Sequence, residues 1–256
     1  MIWRIKMKTV TVWNQKGGVG KSTLAFNIAA ILARKEKRVL CLDMDTQCNL
    51  TSYFDVERTR SAGRPTIKEV LEQGLTAKSG IYSSKRFSNL FYIRGAYQRI
   101  ESGIEAMTTI VKDAGGLNKF DVCIIDTHPD DRELSMGAIA SADLVLVPVK
   151  LDGFSQDNLN LVQKTVNDVS DYAGREIPFR VVVNFLANRE YQREIYQNLI
   201  QNHDYPIMNT CISEQSCVGS ALNLRRPLYM HRKNAQVTQD LEELVTALGE
   251  EITWQA

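Results

Sequence analysis

Apolar, β-branched residues gather in five short runs, Val10 to Trp13, Val39 to Leu42, Val122 to Ile125, Leu144 to Val149 and Val181 to Val183, with helical patterns between them. Strands of that kind alternating with helices predict an α/β fold, a doubly wound, mostly parallel sheet flanked by helices. A weaker run, Leu90-Phe91-Tyr92-Ile93, predicts a further strand, followed by a helix from Tyr97 to Ala114 that stops at Gly115-Gly116. The last helix runs from about Val237 to Ile252, with Leu241, Leu244, Val245, Leu248 and Ile252 on one stripe and Asp240, Glu242, Glu243, Glu250 and Glu251 off it. Glu57 to Pro65 and Ala77 to Lys85 are polar and turn-rich and read as surface loops. Neither separates two segments that could each close a core, so residues 1–256 read as a single domain with residues 1–6 as a flexible start. Asn14, Asp43, Asp126 and Asn184 each end an apolar run, at the sheet edge where open α/β folds bind ligands.

Between the first run and the first helical pattern stands Lys16-Gly17-Gly18-Val19-Gly20-Lys21-Ser22-Thr23. A glycine-rich turn from strand to helix aims several backbone N–H groups at one anion, and the opening helix adds its partial positive charge. The pattern implies a nucleoside triphosphate cradle. Gly17, Gly18, Val19 and Gly20 would wrap the phosphates, Lys21 would reach the β- and γ-phosphates, Ser22 would ligate a magnesium ion, and Thr23 would donate to the α-phosphate. Where an ordinary Walker loop has its first glycine this chain has Gln15, and an additional lysine, Lys16, follows it.

Three carboxylates accompany the loop: Asp43 and Asp45 after the second apolar run, and Asp126 at the end of the third. On the rim beside bound phosphates, such acids hold a magnesium shell and orient an attacking water.

Composition narrows the rest. The formal net charge is +1, which excludes a uniformly basic nucleic-acid binder but not a local basic face. One such cluster is Arg225 and Arg226 followed by His231, Arg232 and Lys233. The five cysteines have no metal-like spacing and read as buried or free thiols. No apolar run approaches the ~20 residues that span a bilayer, and the first residues lack a signal-peptide core, so a cytoplasmic location is expected.

From about Met7 onward the chain resembles the ParA/Soj branch of the deviant Walker, or SIMIBI, ATPases, in its short form without a helix-turn-helix ahead of the first strand. The resemblance lies in Asn14 to Thr23, in Leu42-Asp43-Met44-Asp45-Thr46-Gln47, in Val122 to Pro129, in Ala142 to Val149 and in Arg226-Pro227-Leu228. It implies ATP and Mg²⁺ as cofactors and slow hydrolysis unless a partner stimulates it. It gives Lys16 a catalytic part across a homodimer interface, Asp45 the positioning of the hydrolytic water, Asp43 and Asp126 places in or near the magnesium shell, and Asn184 an adenine contact. It further implies an ATP-dependent homodimer that binds DNA non-specifically through Arg225, Arg226, Arg232 and Lys233, is nucleoid-associated, and moves plasmid, mobile-element or chromosomal DNA with a ParB-like centromere-binding protein.

The chain departs from the family pattern at three places. Thr46 stands for a proline, His128 stands for another and reads either as a titratable ring near the γ-phosphate or as a loop residue without a catalytic part, and Glu214 and Cys217 stand where many relatives place arginines. Two other functions deserve comparison. A MinD-like regulator at the membrane needs a basic amphipathic C-terminal helix, and this one is acidic. An iron–sulfur carrier needs paired cysteines at a dimer axis, and Cys211 and Cys217 lack that spacing.

Overall fold

The computed structural model describes residues 6–54, 64–129, 132–202 and 205–252. In chain order the elements are β1 (Lys8–Val12), α1 (Lys21–Arg34), β2 (Val39–Asp43), α2 (Asn49–Phe54), α3 (Ile67–Glu72), α4 (Ala77–Gly80), β3 (Ile81–Ser83), β4 (Leu90–Ile93), α5 (Ile104–Gly116), β5 (Val122–Asp126), α6 (Arg132–Ser141), β6 (Leu144–Lys150), α7 (Ser155–Ala173), β7 (Phe179–Asn184), α8 (Glu190–Asn202), α9 (Cys217–Asn223), α10 (Leu228–His231) and α11 (Gln236–Ile252). The strands form one seven-stranded sheet in the order β3-β4-β2-β5-β1-β6-β7, parallel throughout except for β3 against β4.

Side-chain alternation sorts each central strand between two faces. Val10 and Val12, Val39 and Cys41, Val122 and Ile124, and Leu144 and Leu146 pack with α1 and α11. Leu40, Leu42, Cys123 and Ile125 pack toward α3 and α5, and Val145, Val147 and Val149 toward α7. Carried one step further, the same period puts Asp43 and Asp126 on the α1 face. The parallel register makes them direct neighbours, Asp43 opposite Asp126 and Asp126 opposite Val12.

Both edges of the sheet are short or sealed. β3 offers three residues, and beyond β7 the chain runs alongside, with Val181 N donating to Pro206 O (2.9 Å) and Ile212 N to Val183 O (2.8 Å).

The five strong strands lie where the apolar runs predict them, their bounds differing by at most two residues at either end. Ala77 to Lys85 is not a plain loop: it holds α4 and β3. A three-residue strand shows no period, but Ile81 is buried and Tyr82 stacks on Tyr92 at 5.6 Å, which fixes the pairing with β4. The helix expected from Tyr97 begins only at Ile104, because Gly103 takes an extended conformation at its N-cap, and Tyr97 is 75% exposed. It also runs through Gly115-Gly116 instead of stopping before them. Asp240, placed off the buried stripe of α11, is buried, accepting from Ser213 N (2.8 Å) and Gln236 Nε2 (2.8 Å). The flexible start expected at residues 1–6, apart from Lys6, and the loop expected at 57–65, apart from its last two residues, lie outside the described residues.

Candidate functional site

The loop between β1 and α1 is fixed first at Asn14, fully buried beneath it. Its Nδ2 donates to Pro148 O (2.8 Å) and Asn158 Oδ1 (2.9 Å), and its Oδ1 accepts from Lys16 N (2.9 Å). These bonds tie the loop's root to β6 and α7. At the far end Gly20 takes the left-handed conformation (φ 94) as the N-cap of α1, and a Cβ there would stand 2.3 Å from Asn184 Nδ2. Only glycine satisfies both the backbone and the space. Asn184 braces the loop from below, Nδ2 donating to Val19 O (2.8 Å) while Oδ1 accepts from Phe185 N (3.0 Å).

Lys21 is 6% exposed and curls under the loop, its Nζ donating to Asn14 O (2.9 Å) and Lys16 O (3.2 Å). Gly17 and Gly18 are exposed, Ser22 and Thr23 half-buried, and Val19 buried. A concave turn with an ammonium at its centre and a 14-residue helix leading away is an anion seat.

Facing this seat are the carboxylates. Asp43 is 2% exposed; its Oδ2 accepts from Thr51 N (2.7 Å) and its Oδ1 from Asp45 N (3.2 Å). Gly95 leaves room for it, since a Cβ there would stand 3.0 Å from Asp43 Cγ. Burial pushes the Asp43 carboxyl up to about 6, against the hydrogen bonds from Thr51 and Asp45 N, and the charge of Asp45 adds to the rise. Asp126 is fully buried, and among the described residues neither of its carboxylate oxygens has a hydrogen-bond partner. Burial, and next the charge of Asp43, hold its pKa well above the ordinary range. The Ser22 hydroxyl and Lys21 oppose this rise, Ser22 facing the carboxylate without closing a full hydrogen bond.

Two buried acids on adjacent strands, one with orphaned oxygens, call for a cation. Among the described residues no three His, Cys, Asp or Glu side chains converge as a metal cage. The donor set of one hydroxyl and two carboxylates suits magnesium, which keeps several waters and takes its remaining ligands from substrate phosphates. The residues therefore fit Mg²⁺ carried with a polyphosphate.

Asp45 is nearly buried, with Oδ1 accepting from Gln47 N (2.8 Å). His128 Nε2 lies 3.9 Å from that same oxygen, so the ring stands beside the candidate water-positioning acid. Lys16 reaches sideways within its own subunit to an ion pair with Asp152, 6.0 Å from the ring of Phe154. Burial raises the Asp152 carboxyl, but hydrogen bonds from Lys16 and Phe154 N, with the charges of Lys16 and Lys150, bring its pKa below the usual range. Sequence reasoning overlooks Asp152; the available signal is an Asp-Gly pair just past the end of β6. It also overlooks Thr51 and Gly95, which touch Asp43 only through the tertiary fold.

Arg225, Arg226, Arg232 and Lys233 are not part of this pocket. They lie after α9 and after α10, Arg225 half-buried and the other three exposed. The segment is held to α1 by Leu228 N donating to Asn27 Oδ1 (2.8 Å). The five cysteines are free thiols, with Cys41, Cys48 and Cys123 buried.

The AAA domain family model matches residues 7–179. The chromosome-partitioning ATPase Soj of Thermus thermophilus is 32% identical over 166 residues, covering 65% of this chain and 64% of that protein. The match thus takes in slightly less than two thirds of that relative's length. The sporulation initiation inhibitor protein Soj of Bacillus subtilis is 25% identical over 254 residues, covering 94% of this chain and 99% of that protein. Among solved structures, an ATP complex of McdA from Cyanothece superposes with a TM-score of 0.82 at 21% identity, covering 98% of either chain. The phosphate loop with its extra lysine and the paired acids fall inside the matched region, and the chain belongs to the ParA/Soj family of deviant Walker P-loop ATPases.

Proposed function

We propose that the protein is an ATP-dependent dimerising ATPase that binds DNA non-specifically and partitions a DNA cargo with a ParB-like partner. The observation that carries the ATPase part is the unsatisfied, fully buried Asp126 carboxylate beside Asp43, across from the Lys21 and Ser22 side of the loop. That arrangement makes sense when a metal-bound triphosphate completes it. Bound magnesium would supply charge neutralisation at the β- and γ-phosphates. The chain's residues do the remainder. Backbone N–H groups of residues 17–23 and Lys21 bind the phosphates, Ser22, Asp43 and Asp126 hold the metal side, and Asp45 accepts a hydrogen bond from the water that attacks in line.

Lys16 completes the site from the opposite subunit. A cation delivered across an interface to developing phosphate charge is worth ~10³ or more in rate, which ties turnover to dimerisation. To cross, Lys16 leaves Asp152, and the exposed ring of Phe154 (72%) lies next to the path. Asn184 has Nδ2 on Val19 O of the loop and Oδ1 on Phe185 N, which leaves one amide hydrogen and one lone pair for its adenine contact.

The DNA part rests on the cations at Arg225, Arg226, Arg232 and Lys233. Phosphate neutralisation supplies most non-specific affinity, and a dimer doubles the patch. A membrane role has less support. The apolar stripe of α11 is spent on the core through Leu241, Leu244, Leu248 and Ile252, and no described helix is long and apolar enough to cross a membrane.

Co-sedimentation with DNA and with anionic liposomes, in ADP, ATP and a slowly hydrolysed analogue, tests the reading. DNA retention confined to the analogue-bound form is the expected result. Retention on liposomes instead would establish the membrane alternative.

A further inference from the structure

Arg86, in the turn between β3 and β4, spends one nitrogen on two distant stretches of backbone: Nη1 donates to Tyr53 O (2.9 Å) and to Arg225 O (2.8 Å). Tyr53 belongs to α2, and α2 begins at the metal-side acid, through Thr51 N on Asp43 Oδ2 (2.7 Å). Arg225 sits in a left-handed conformation (φ 51), a strained setting for a side-chain-bearing residue, held by its N–H on Leu222 O (2.9 Å) and by Arg226 N on Ala221 O (2.9 Å). The Arg86 guanidinium also lies 5.2 Å from the ring of Phe87. Phe87 meets Phe26 of α1 edge-on at 6.1 Å and Phe54 of α2 at 6.3 Å, so the turn carrying Arg86 is packed against the helices that lead from the phosphate loop and from the acids. Burial, and next the charges of Arg225 and Arg226, lower the Arg86 pKa, showing three cations crowded together.

We propose that Arg86 is a positioning residue that couples the metal side of the nucleotide pocket to the basic surface, holding the Arg225 turn in register with α2 so that nucleotide binding sets how Arg225 and Arg226 meet a phosphate backbone. The inference rests on the DNA-binding reading above for its ligand, but not for its mechanics. A nucleotide shifts a conformational equilibrium only as far as it contacts the two states differently, and Asp43 is where the difference would arise: a metal beside it competes with Thr51 N for its oxygens. From there every step to Arg225 is helix α2 or a hydrogen bond. A hydrogen-bonded path is a physical route, and coupling has to be measured along it.

The experiment compares wild type, Arg86→Gln and Arg86→Lys. Hydrogen exchange is followed at residues 222–226, with ADP and with the slowly hydrolysed ATP analogue, beside DNA co-sedimentation in the same nucleotides. In wild type, exchange at the turn is expected to differ between the nucleotides and DNA affinity to rise by about tenfold or more with the analogue, within the usual range of coupling. Arg86→Gln is expected to abolish the exchange difference and bring the affinity ratio to about threefold or less, with fluorescent ATP binding within about twofold of wild type. Arg86→Lys keeps the charge but its side chain is one bond shorter, so its ammonium falls short of the position Nη1 holds, and it is expected to behave like Arg86→Gln in the ratio. An exchange difference that survives in both variants overturns the coupling. So does an equal loss of DNA affinity with both nucleotides, the mark of a plain phosphate contact. Wild type that shows the exchange difference yet retains no DNA rejects the DNA reading, and the coupling is then supported if the difference is lost in the variants and overturned if it survives in them. Wild type without the difference rejects the coupling whatever the DNA result.

Discussion

At the scale of single residues, Gly20 is the most constrained position of the nucleotide site. Its φ of 94 and the 2.3 Å approach of Asn184 to any Cβ leave no room for alanine. Gly20→Ala is therefore expected to push Asn184 off Val19 O and distort the cradle. Fluorescent-nucleotide titration should show affinity reduced by at least roughly tenfold, the equivalent of ~1.4 kcal/mol. Asp43 gives a pH signature to the nucleotide-free protein. Its carboxyl rises from 3.8 to about 6 on folding, because burial penalises the charged form. A carboxyl raised in this way costs stability once ionised: the cost is absent below the unfolded value and complete above the folded one. Nucleotide-free protein is thus expected to lose stability as pH rises from about 4 to about 6, with Asp126 adding to the loss, and Asp43→Asn to reduce that slope in denaturant titrations run at each pH. The phosphate loop, Asp43 and Asp126 were legible as candidates from residue type and from their place at the ends of apolar runs, and Asp45 from its place two residues beyond Asp43. Asp152, Thr51, Gly95 and Arg86 were not, since each acts on a partner that only the fold brings near.

At the scale of elements, long amphipathic or apolar segments were readable and short or capped ones were not. β6 is a long continuous apolar run, and α11 carries enough turns to declare a helical period. β3 is held by a tyrosine stack that local sequence does not reveal, and α5 begins at Ile104 because of the backbone of Gly103. Asp240 shows how a helical stripe misleads: a charged residue of α11 is buried because it serves Ser213 N on a neighbouring segment. Asp240→Ala leaves that N–H without its acceptor and is expected to destabilise the fold by about 1–3 kcal/mol in urea unfolding. Asp240→Asn, which keeps an acceptor, should recover most of the loss.

At the scale of the whole molecule, the parallel direction of the sheet was implied by alternating strands and helices, while the strand order, the reversed edge strand and the chain running beside β7 were not. The same scale decides the part of Lys16. In the single subunit it is paired with Asp152, and in the proposed assembly it serves the neighbour's nucleotide. Lys16→Ala is expected to bind nucleotide close to wild type but to sediment as a monomer with the slowly hydrolysed analogue, where wild type sediments as a dimer. Equal sedimentation of the two proteins would place the lysine outside the interface.

The ends of the sheet bear on how such a protein could work in numbers. A carrier that gathers in many copies along a polymer keeps company at concentrations where open ladder edges recruit one another into fibres. Here one margin is a three-residue reversed strand and the other is already occupied by the molecule's own returning chain. In the proposed assembly, crowding then acts through reversible pairing at the nucleotide face, and the ordered margins give irreversible stacking little purchase.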